Sequence, residues 1–200
     1  MKTAIITGSN GLVGGEAVSY FSSIADNVIG IDNNMRKYFF GNEADTTWNK
    51  IRLEMQFKNY RSYDLNIVEY ESIERVFKKY NESIDLIIHA AAQPSHDWAA
   101  KEPITDFNIN AKGTLNLLEL MRLYCTNAVF IFTSTNKVYG DKPNDLPYVE
   151  LETRWELDKG HKYYKNGIDE RMSIDNSLHS IFGASKIAAD IMVQEYGKYF

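Results

Sequence analysis

The chain contains 200 residues, of which 44% are hydrophobic and 24% charged, a composition that is typical of a globular domain and excludes a disordered or collagen-like chain. Its 22 Lys and Arg residues against 27 Asp and Glu residues give a formal charge of −5, which argues against a nucleic-acid binder or a protein that binds anionic membranes. The single cysteine, Cys125, excludes intramolecular disulfides, and no His or Cys spacing indicates a metal site.

Short apolar runs alternate with amphipathic stretches through the first 130 residues. The runs at 3–7, 27–31, 84–89 and 128–133 predict strands, and a further strand is predicted at 57–63. Apolar residues at helical spacing predict helices at 12–24, 67–80, 104–124 and 181–199, whereas 33–59 is predicted to be a long connection with one short helix. This order predicts an α/β fold: a Rossmann-type, doubly wound parallel sheet with helices on both faces.

Residues 140–180 interrupt this alternation. They contain Pro143, Pro147 and Trp155, several charges and few apolar runs. An irregular segment of this length in a compact domain usually carries function or belongs to a second lobe. We therefore expect residues 1–200 to form one domain with a long substrate-side loop at 140–180.

A glycine-rich loop follows the first predicted strand and opens the first predicted helix. Residues 8–14 read Gly8-Ser9-Asn10-Gly11-Leu12-Val13-Gly14. Glycine permits the tight turn, a close approach of the backbone to a pyrophosphate and close packing of the helix, whose N-terminus favours phosphate. A lone glycine pattern can be a plain turn, but in this strand–loop–helix context it predicts a dinucleotide-binding loop that uses the following six residues: Gly8, Asn10, Gly11, Leu12, Val13 and Gly14.

Acidic residues follow the next two predicted strands. Asp32, with Asn33 beside it, ends the second strand, where a carboxylate accepts hydrogen bonds from ribose hydroxyls. A carboxylate there repels a 2′-phosphate and favours NAD over NADP, although Arg36 nearby could pair with a phosphate. Asp64 and Leu65 follow the third strand and are predicted to contact the adenine, but Asp64 could equally cap the next helix.

Further motifs occur in chain order with this loop: His89-Ala90-Ala91-Ala92, Asn110-Ala111-Lys112-Gly113-Thr114 and Ser134-Thr135-Asn136-Lys137-Val138-Tyr139-Gly140. As a set they resemble the extended short-chain dehydrogenase/reductase family, specifically its nucleotide-sugar epimerases and dehydratases. The runs 134–141 and 182–190 are most similar to family members that are 2-epimerases of CDP-linked sugars. The resemblance covers nearly the whole chain.

The resemblance implies positions along the cofactor. Ala90, Ala91 and Ala92 would lie beside the nicotinamide, because bulky side chains there would block it. Asn110 would lie near them, in the long fourth helix. Members of the family continue into a C-terminal lobe that binds the nucleotide, so we expect this chain to stop before that substrate lobe.

The resemblance also implies catalytic and substrate residues. Thr135 would bind the reacting sugar hydroxyl, and Lys186 would bind the nicotinamide ribose and lower the pKa of a catalytic tyrosine. Four further residues would face the sugar: Gln93, Ser95, His96 and Asn136.

The chain departs from the family at the tyrosine itself. The family pattern is Tyr-x-x-x-Lys, and the residue four before Lys186 is Phe182, which has no proton to exchange. Three hypotheses follow. Another group serves as the base, with His179, Tyr139, His96 or a water held by Thr135 as candidates; or the protein binds its ligands without turnover; or the motif is shifted. No other Tyr-x-x-x-Lys ends the irregular loop, which disfavours the last.

The sequence therefore predicts an NAD-dependent nucleotide-sugar epimerase that acts by transient oxidation of a sugar carbon. A nucleotide-sugar 4,6-dehydratase is one alternative, but it normally has Asp-Glu where this chain has Asn136 and Lys137. A non-catalytic NAD-binding protein is the other, because of Phe182. The family commonly pairs its fourth helix and its Lys186 helix in a homodimer, and we expect the same here.

No apolar run reaches the length of a membrane span, and the apolar stretch at the N-terminus is too short for a signal peptide. We expect a cytoplasmic protein whose partners are its small-molecule ligands and a second copy, with no nucleic acid and no membrane.

Overall fold

A computed structural model describes residues 1–200. Its main sheet is parallel, with strand order β3-β2-β1-β4-β5. The five strands are β1 (Thr3–Thr7), β2 (Asn27–Ile31), β3 (Tyr60–Tyr63), β4 (Ile84–His89) and β5 (Val129–Phe132). The strand order reverses between β1 and β4, which creates a crevice at their carboxyl ends. The predicted Rossmann-type fold is confirmed.

Helices cover both faces of this sheet. They are α1 (Leu12–Phe21), α2 (Met35–Phe40), α3 (Thr47–Gln56), α4 (Tyr70–Tyr80), α5 (His96–Lys101), α6 (Pro103–Phe107), α7 (Gly113–Tyr124) and α8 (Ser180–Tyr199). Successive residues of a strand point to opposite faces, so Ile5 belongs to the core that includes Phe77 of α4 and Leu117 of α7. Its neighbour Ile6 belongs to the other core, with Leu53 of α3.

The segment 33–59 differs from its prediction, because it forms two helices rather than one. Gly41, with φ of +84°, ends α2, and a short 3₁₀ turn at 42–44 leads towards α3. The side chain of Asn34 ties the two helices together: its amide donates to Asp45 Oδ1 at 2.9 Å and its oxygen accepts the Thr46 N–H at 3.1 Å. These contacts join residues distant in sequence, so helical periodicity does not reveal them.

The helix predicted at 104–124 is also divided. Pro103 occupies the first turn of α6, and a π-helical turn spans Asn108–Lys112 before α7 begins. Within that turn the carbonyl of Asn110 accepts the Thr114 hydroxyl at 2.6 Å. In a regular α-helix this carbonyl would accept a backbone N–H. In the wider π-helical turn it accepts a side-chain hydroxyl instead.

Residues 140–180 are mainly irregular and contain a small antiparallel hairpin that the sequence did not predict. Its strands are β6 (Tyr148–Glu150) and β7 (Trp155–Leu157). A separate cluster of three buried side chains supports it: Leu157, Tyr163 and Met172. None of the helices combines the length and the apolar character that a bilayer crossing requires.

Candidate functional site

A groove of about 300 Å³ lies at the carboxyl ends of β1, β2 and β4. It is lined by the following predicted cofactor residues: Gly8, Gly11, Leu12, Val13, Gly14, Asp32, Asn33, Leu65, Ala90, Ala91 and Ala92. Residues from four separate parts of the sequence therefore meet at the crevice where a doubly wound sheet binds its ligand.

The glycines of the loop hold the backbone where no side chain fits. Gly8 has φ of +66°, and a Cβ built on it would lie 2.9 Å from the Ala90 carbonyl oxygen. A Cβ on Gly14 would lie 2.1 Å from the carbonyl oxygen of Gly8. Gly11 caps α1 without a side-chain hydrogen bond, so the first-turn N–H groups beside the groove remain available to an anion.

Asp32 is held at the mouth of this groove by backbone N–H groups. Its Oδ2 accepts from Asn10 at 3.0 Å and its Oδ1 accepts from Asn34 at 2.7 Å. Burial raises the pKa of Asp32, and these two hydrogen bonds oppose that rise. Asn10 is thus directed to Asp32 rather than to the surface of the groove. The negative charge of the exposed Asp64 raises the pKa of Asp32 further.

A contact between α2 and α5 joins the segments that follow β2 and β4. The Trp98 indole N–H donates to the carbonyl of Phe39, and the Tyr38 hydroxyl donates to Glu102 at 2.8 Å. The Trp98 ring lies 5.2 Å from the ring of Tyr38 and 5.5 Å from that of Phe39. We call these four residues the α2–α5 bridge. Because Phe39 also lines the groove, the bridge supports one wall of it.

A buried polar network lies behind the alanine loop. Asn110 accepts the Gln93 N–H at 2.9 Å and donates to Asp106 at 3.0 Å and to Ser185 at 3.1 Å. Gln93 also donates to Asp106 at 2.9 Å. The structure therefore uses the Asn110 and Gln93 side chains in holding α6, α8 and the alanine loop together, away from the groove surface.

One carboxylate oxygen in this network has no partner. Asp106 is fully buried, and its Oδ2 makes no hydrogen bond. Burial raises the pKa of Asp106, whereas hydrogen bonds and the charges of His96 and Lys186 oppose the rise.

Lys186 is buried in α8 beside the end of β5. Its ammonium donates to the carbonyl of Thr133 at 3.0 Å and lies 4.4 Å from the centre of the Phe132 ring. Burial lowers the pKa of Lys186 to about 8. One turn earlier in α8, the Phe182 ring is also buried, and the ring of His96 lies 5.1 Å from it.

His89 is the buried histidine at the end of β4. Its Nδ1 pairs with the Thr7 hydroxyl at 2.7 Å and its Nε2 with the Thr114 hydroxyl at 2.9 Å. Burial and the nearby charge of Lys186 lower the pKa of His89 to about 3. A neutral imidazole with both nitrogens engaged ties β1, β4 and α7 together.

Thr135 and Asn136 line a second cavity, of about 430 Å³, rather than the groove. The Thr135 hydroxyl accepts the Lys137 N–H at 3.3 Å, and the neighbouring Ser134 donates to Asp190 of α8. Ser95 caps α5, and His96, the first residue of that helix, is exposed. The predicted catalytic and substrate residues therefore surround the junction of α5, α8 and the end of β5.

Several residues that carry no recognisable sequence motif also line the groove. They are Ile31, Met35, Phe39, Thr46, Asn66, Ile67 and Ile109, with Arg36 and Pro94 also present. Most lie in the connections after β2, β3 and β4, which carry no motif. Asp106 was missed as well, although its position one helical turn before Asn110 was a usable signal.

Comparisons with known proteins agree with this geometry. A family model described as the NAD dependent epimerase/dehydratase family matches residues 4–200. The CDP-paratose 2-epimerase of Salmonella typhi is 35% identical over 98% of this chain and 53% of its own. This chain thus spans about half the length of that curated relative.

Two solved structures show the same fold. The UDP-Glc/GlcNAc 4-epimerase of Campylobacter jejuni superposes with a TM-score of 0.72 at 16% identity, over 99% of this chain and 50% of its own. The dTDP-glucose 4,6-dehydratase of Bacillus anthracis, solved in complex with NAD, gives a TM-score of 0.69 at 21% identity, over 100% and 52%. The resemblance drawn from the motifs is confirmed.

Proposed function

The chain belongs to the NAD-dependent epimerase/dehydratase family, and on that premise we propose that it is a nucleotide-sugar epimerase that acts by transient oxidation of a sugar carbon. Its relatives include the CDP-paratose 2-epimerase named above, which supports an epimerase of this kind. The observation that carries the proposal is the approach of a buried lysine, Lys186, to the same end of the sheet as the glycine-lined groove.

The residues present fit the adenosine and pyrophosphate parts of NAD. The cradle formed by Gly8 and Gly14, which a Cβ would fill, and the open N-terminus of α1 suit a pyrophosphate. Asp32 and Asn33 suit the ribose hydroxyls, and Leu65 with Phe39 suits the adenine. NAD, when bound, supplies an acceptor that takes a hydride from the sugar and gives it back.

At the other end of the site, this chain's own residues orient the sugar. The buried ammonium of Lys186 would stabilise negative charge on the reacting oxygen, and Thr135 would bind the sugar hydroxyl. The Asp106–Asn110 network would fix the alanine loop that borders both ends. Buried and hydrogen-bonded side chains hold such geometry without reorganisation during the reaction.

One observation favours a second candidate. Phe182 is buried one turn before Lys186, where the family pattern has a tyrosine hydroxyl, and a phenyl ring transfers no proton. A protein that binds NAD and a nucleotide sugar without turnover would need no such hydroxyl. A 4,6-dehydratase receives no comparable support, because Asn136 and Lys137 carry no carboxylate.

The proposal is tested by purifying the protein without added cofactor, denaturing it and identifying released nucleotides by chromatography and mass. Bound NAD or NADH is expected at about one per chain. The native protein is then incubated with CDP-, UDP- and dTDP-linked sugars, and products are identified by NMR. An epimer is expected. A protein that neither holds nor binds NAD overturns the proposal, a dehydrated keto-sugar identifies a dehydratase, and NAD without any product identifies the non-catalytic candidate.

Replacement of Asp32 tests the placement of the cofactor. We expect Asp32→Ala to weaken NAD affinity by about 10- to 100-fold, because a charged acceptor for the ribose is lost. We also expect the preference for NAD over NADP to shrink, since the repulsive carboxylate is gone. Calorimetric titration with both cofactors measures each effect. Asp26→Ala, on an exposed residue just before β2, is the control, and unchanged NAD affinity in Asp32→Ala would remove the assignment.

The α2–α5 bridge provides a milder prediction. Trp98→Phe retains an aromatic ring but leaves the Phe39 carbonyl without its indole donor. We expect NAD to dissociate about 3- to 10-fold faster, the equivalent of one hydrogen bond that supports the groove wall. Displacement of bound NAD followed by stopped-flow fluorescence measures the rate. Trp155→Phe, in the exposed hairpin, should match the wild type, and an equal rate in Trp98→Phe would contradict the role of the bridge.

The homodimer stays a prediction. Exposed apolar side chains lie together on α6 and α8 where the two helices meet: Ile104, Phe107 and Ile181. A second copy that placed the same face against them would remove this surface from water, and that supports the expected pairing of helices.

A further inference from the structure

Oxidation of a sugar hydroxyl requires a group that accepts its proton, and most titratable side chains near Lys186 are already engaged. Both nitrogens of His89 pair with threonines. The Tyr139 hydroxyl donates to the Asp169 carbonyl at 3.2 Å. His179 pairs with the Ile174 carbonyl at 2.8 Å, and its other nitrogen is enclosed. Each of these groups therefore already has a hydrogen-bond partner within the protein, and the second nitrogen of His179 is buried.

His96 differs from all of them. It is exposed, and its imidazole makes no hydrogen bond within the protein. Its ring lies 5.1 Å from that of Phe182, so the imidazole stands over the α8 turn that leads to Lys186. It also follows directly on the loop that carries Ala90–Ala92 and Pro94 into the groove. His96 therefore packs on α8 one turn before the buried lysine, at the end of the loop that lines the groove.

Asp106 is the nearby carboxylate on which the charge of His96 acts. Its buried Oδ2 has no hydrogen bond, and the network of Gln93 and Asn110 fixes its other oxygen. Opposite charges attract, and the charge of His96 acts favourably on Asp106.

We propose that His96 is the catalytic base, which stands in for the missing tyrosine hydroxyl; this inference rests on the proposed function. As the hydride leaves the sugar carbon for the nicotinamide, the hydroxyl proton passes to neutral His96 and a C=O bond forms. On re-reduction the hydride returns to the opposite face of the carbonyl carbon and the imidazolium returns the proton to the oxygen, so that the carbon is inverted. Protons and electrons balance over the cycle, and Phe182 packs beneath the imidazole instead of competing with it.

The test is His96→Ala, assayed with the nucleotide sugar that the wild-type protein turns over. We expect kcat to fall about 100-fold with little change in bound NAD, and added imidazole to restore part of the rate. Free imidazole can reach an exposed site, so rescue reports proton transfer rather than folding. In His96→Ala/Phe182→Tyr, the restored phenol should also recover activity. His161→Ala, a histidine in the irregular segment, is the control and should behave as the wild type.

The outcomes separate this inference from the proposed function. A wild-type protein that holds NAD but converts no nucleotide sugar overturns the function itself. If the wild type is active and His96→Ala retains its kcat, His96 is not the base. A loss of kcat that neither imidazole nor Phe182→Tyr repairs also overturns the inference, because His96 would then position the substrate rather than carry a proton.

Discussion

Lys186→Met is expected to reduce kcat by roughly 100- to 1,000-fold while the protein remains folded. The buried ammonium lies at the end of β5, against the Phe132 ring and the Thr133 carbonyl. Methionine fills similar volume but cannot stabilise negative charge on a reacting oxygen. Steady-state kinetics with the accepted nucleotide sugar measure the loss. KM should change much less than kcat, because the charge matters most when the oxygen becomes negative.

The same substitution has a stability signature that needs no substrate. Burial lowers the pKa of Lys186 to about 8, below the ordinary lysine value of 10.5, so folding favours its neutral form. Between these two values the unfolded chain holds a proton that the native chain has released. The free energy of unfolding therefore rises with pH across this window in the wild type, relative to Lys186→Met. Urea denaturation at several pH values checks the sign.

Lys198→Met provides the matched control, since Lys198 is an exposed residue at the far end of the same helix. It should change neither kcat nor the pH dependence of stability. If Lys186→Met kept its activity, Lys186 would have no catalytic part. If its stability followed pH as the wild type does, the ammonium would not be buried as the structure shows.

The sequence was sufficient for most of the sheet because β1, β2 and β4 are mainly apolar, and residues such as Ile5 and Ile87 are fully buried. Helices α2 and α5 are not evident from the sequence pattern. Both are six residues long, too short for a periodic pattern, and the contact of Trp98 with Phe39 joins positions 59 residues apart. Short helices are stabilised by such distant contacts, which local patterns do not encode.

The candidate site shows the same difference between local motifs and contacts that join distant residues. The glycine loop, Asp32 and the three alanines are local motifs with a known physical purpose, and the structure places most of them in one groove. The proximity of His96 to Phe182 has no local signature, because it depends on how α5 packs against α8. Likewise, the π-helical turn that carries Asn110 fits the apolar spacing of an ordinary helix.

Gly14→Ala is expected to weaken NAD binding by more than about 100-fold. An added Cβ would lie 2.1 Å from the oxygen and 2.6 Å from the carbon of the Gly8 carbonyl, and both are backbone atoms that cannot rotate away. Helix α1 must therefore move off the glycine loop, and its N-terminal N–H groups move away from the proposed pyrophosphate site with it. Some loss of stability, about 1 to 3 kcal/mol, should accompany the change.

Gly197→Ala separates this geometric cause from the general effect of alanine on the chain. Gly197 lies in α8 with nothing within 4 Å of an added Cβ, so alanine there should raise the free energy of unfolding, by up to about 1 kcal/mol, and leave NAD binding unchanged. Calorimetric titration and urea denaturation of both variants give the two quantities. Wild-type affinity in Gly14→Ala would show that the cofactor does not depend on the close contact of α1 with the glycine loop. Its loss in that variant alone would locate the pyrophosphate at the helix N-terminus, because the two substitutions add the same methyl group and differ only in what it meets.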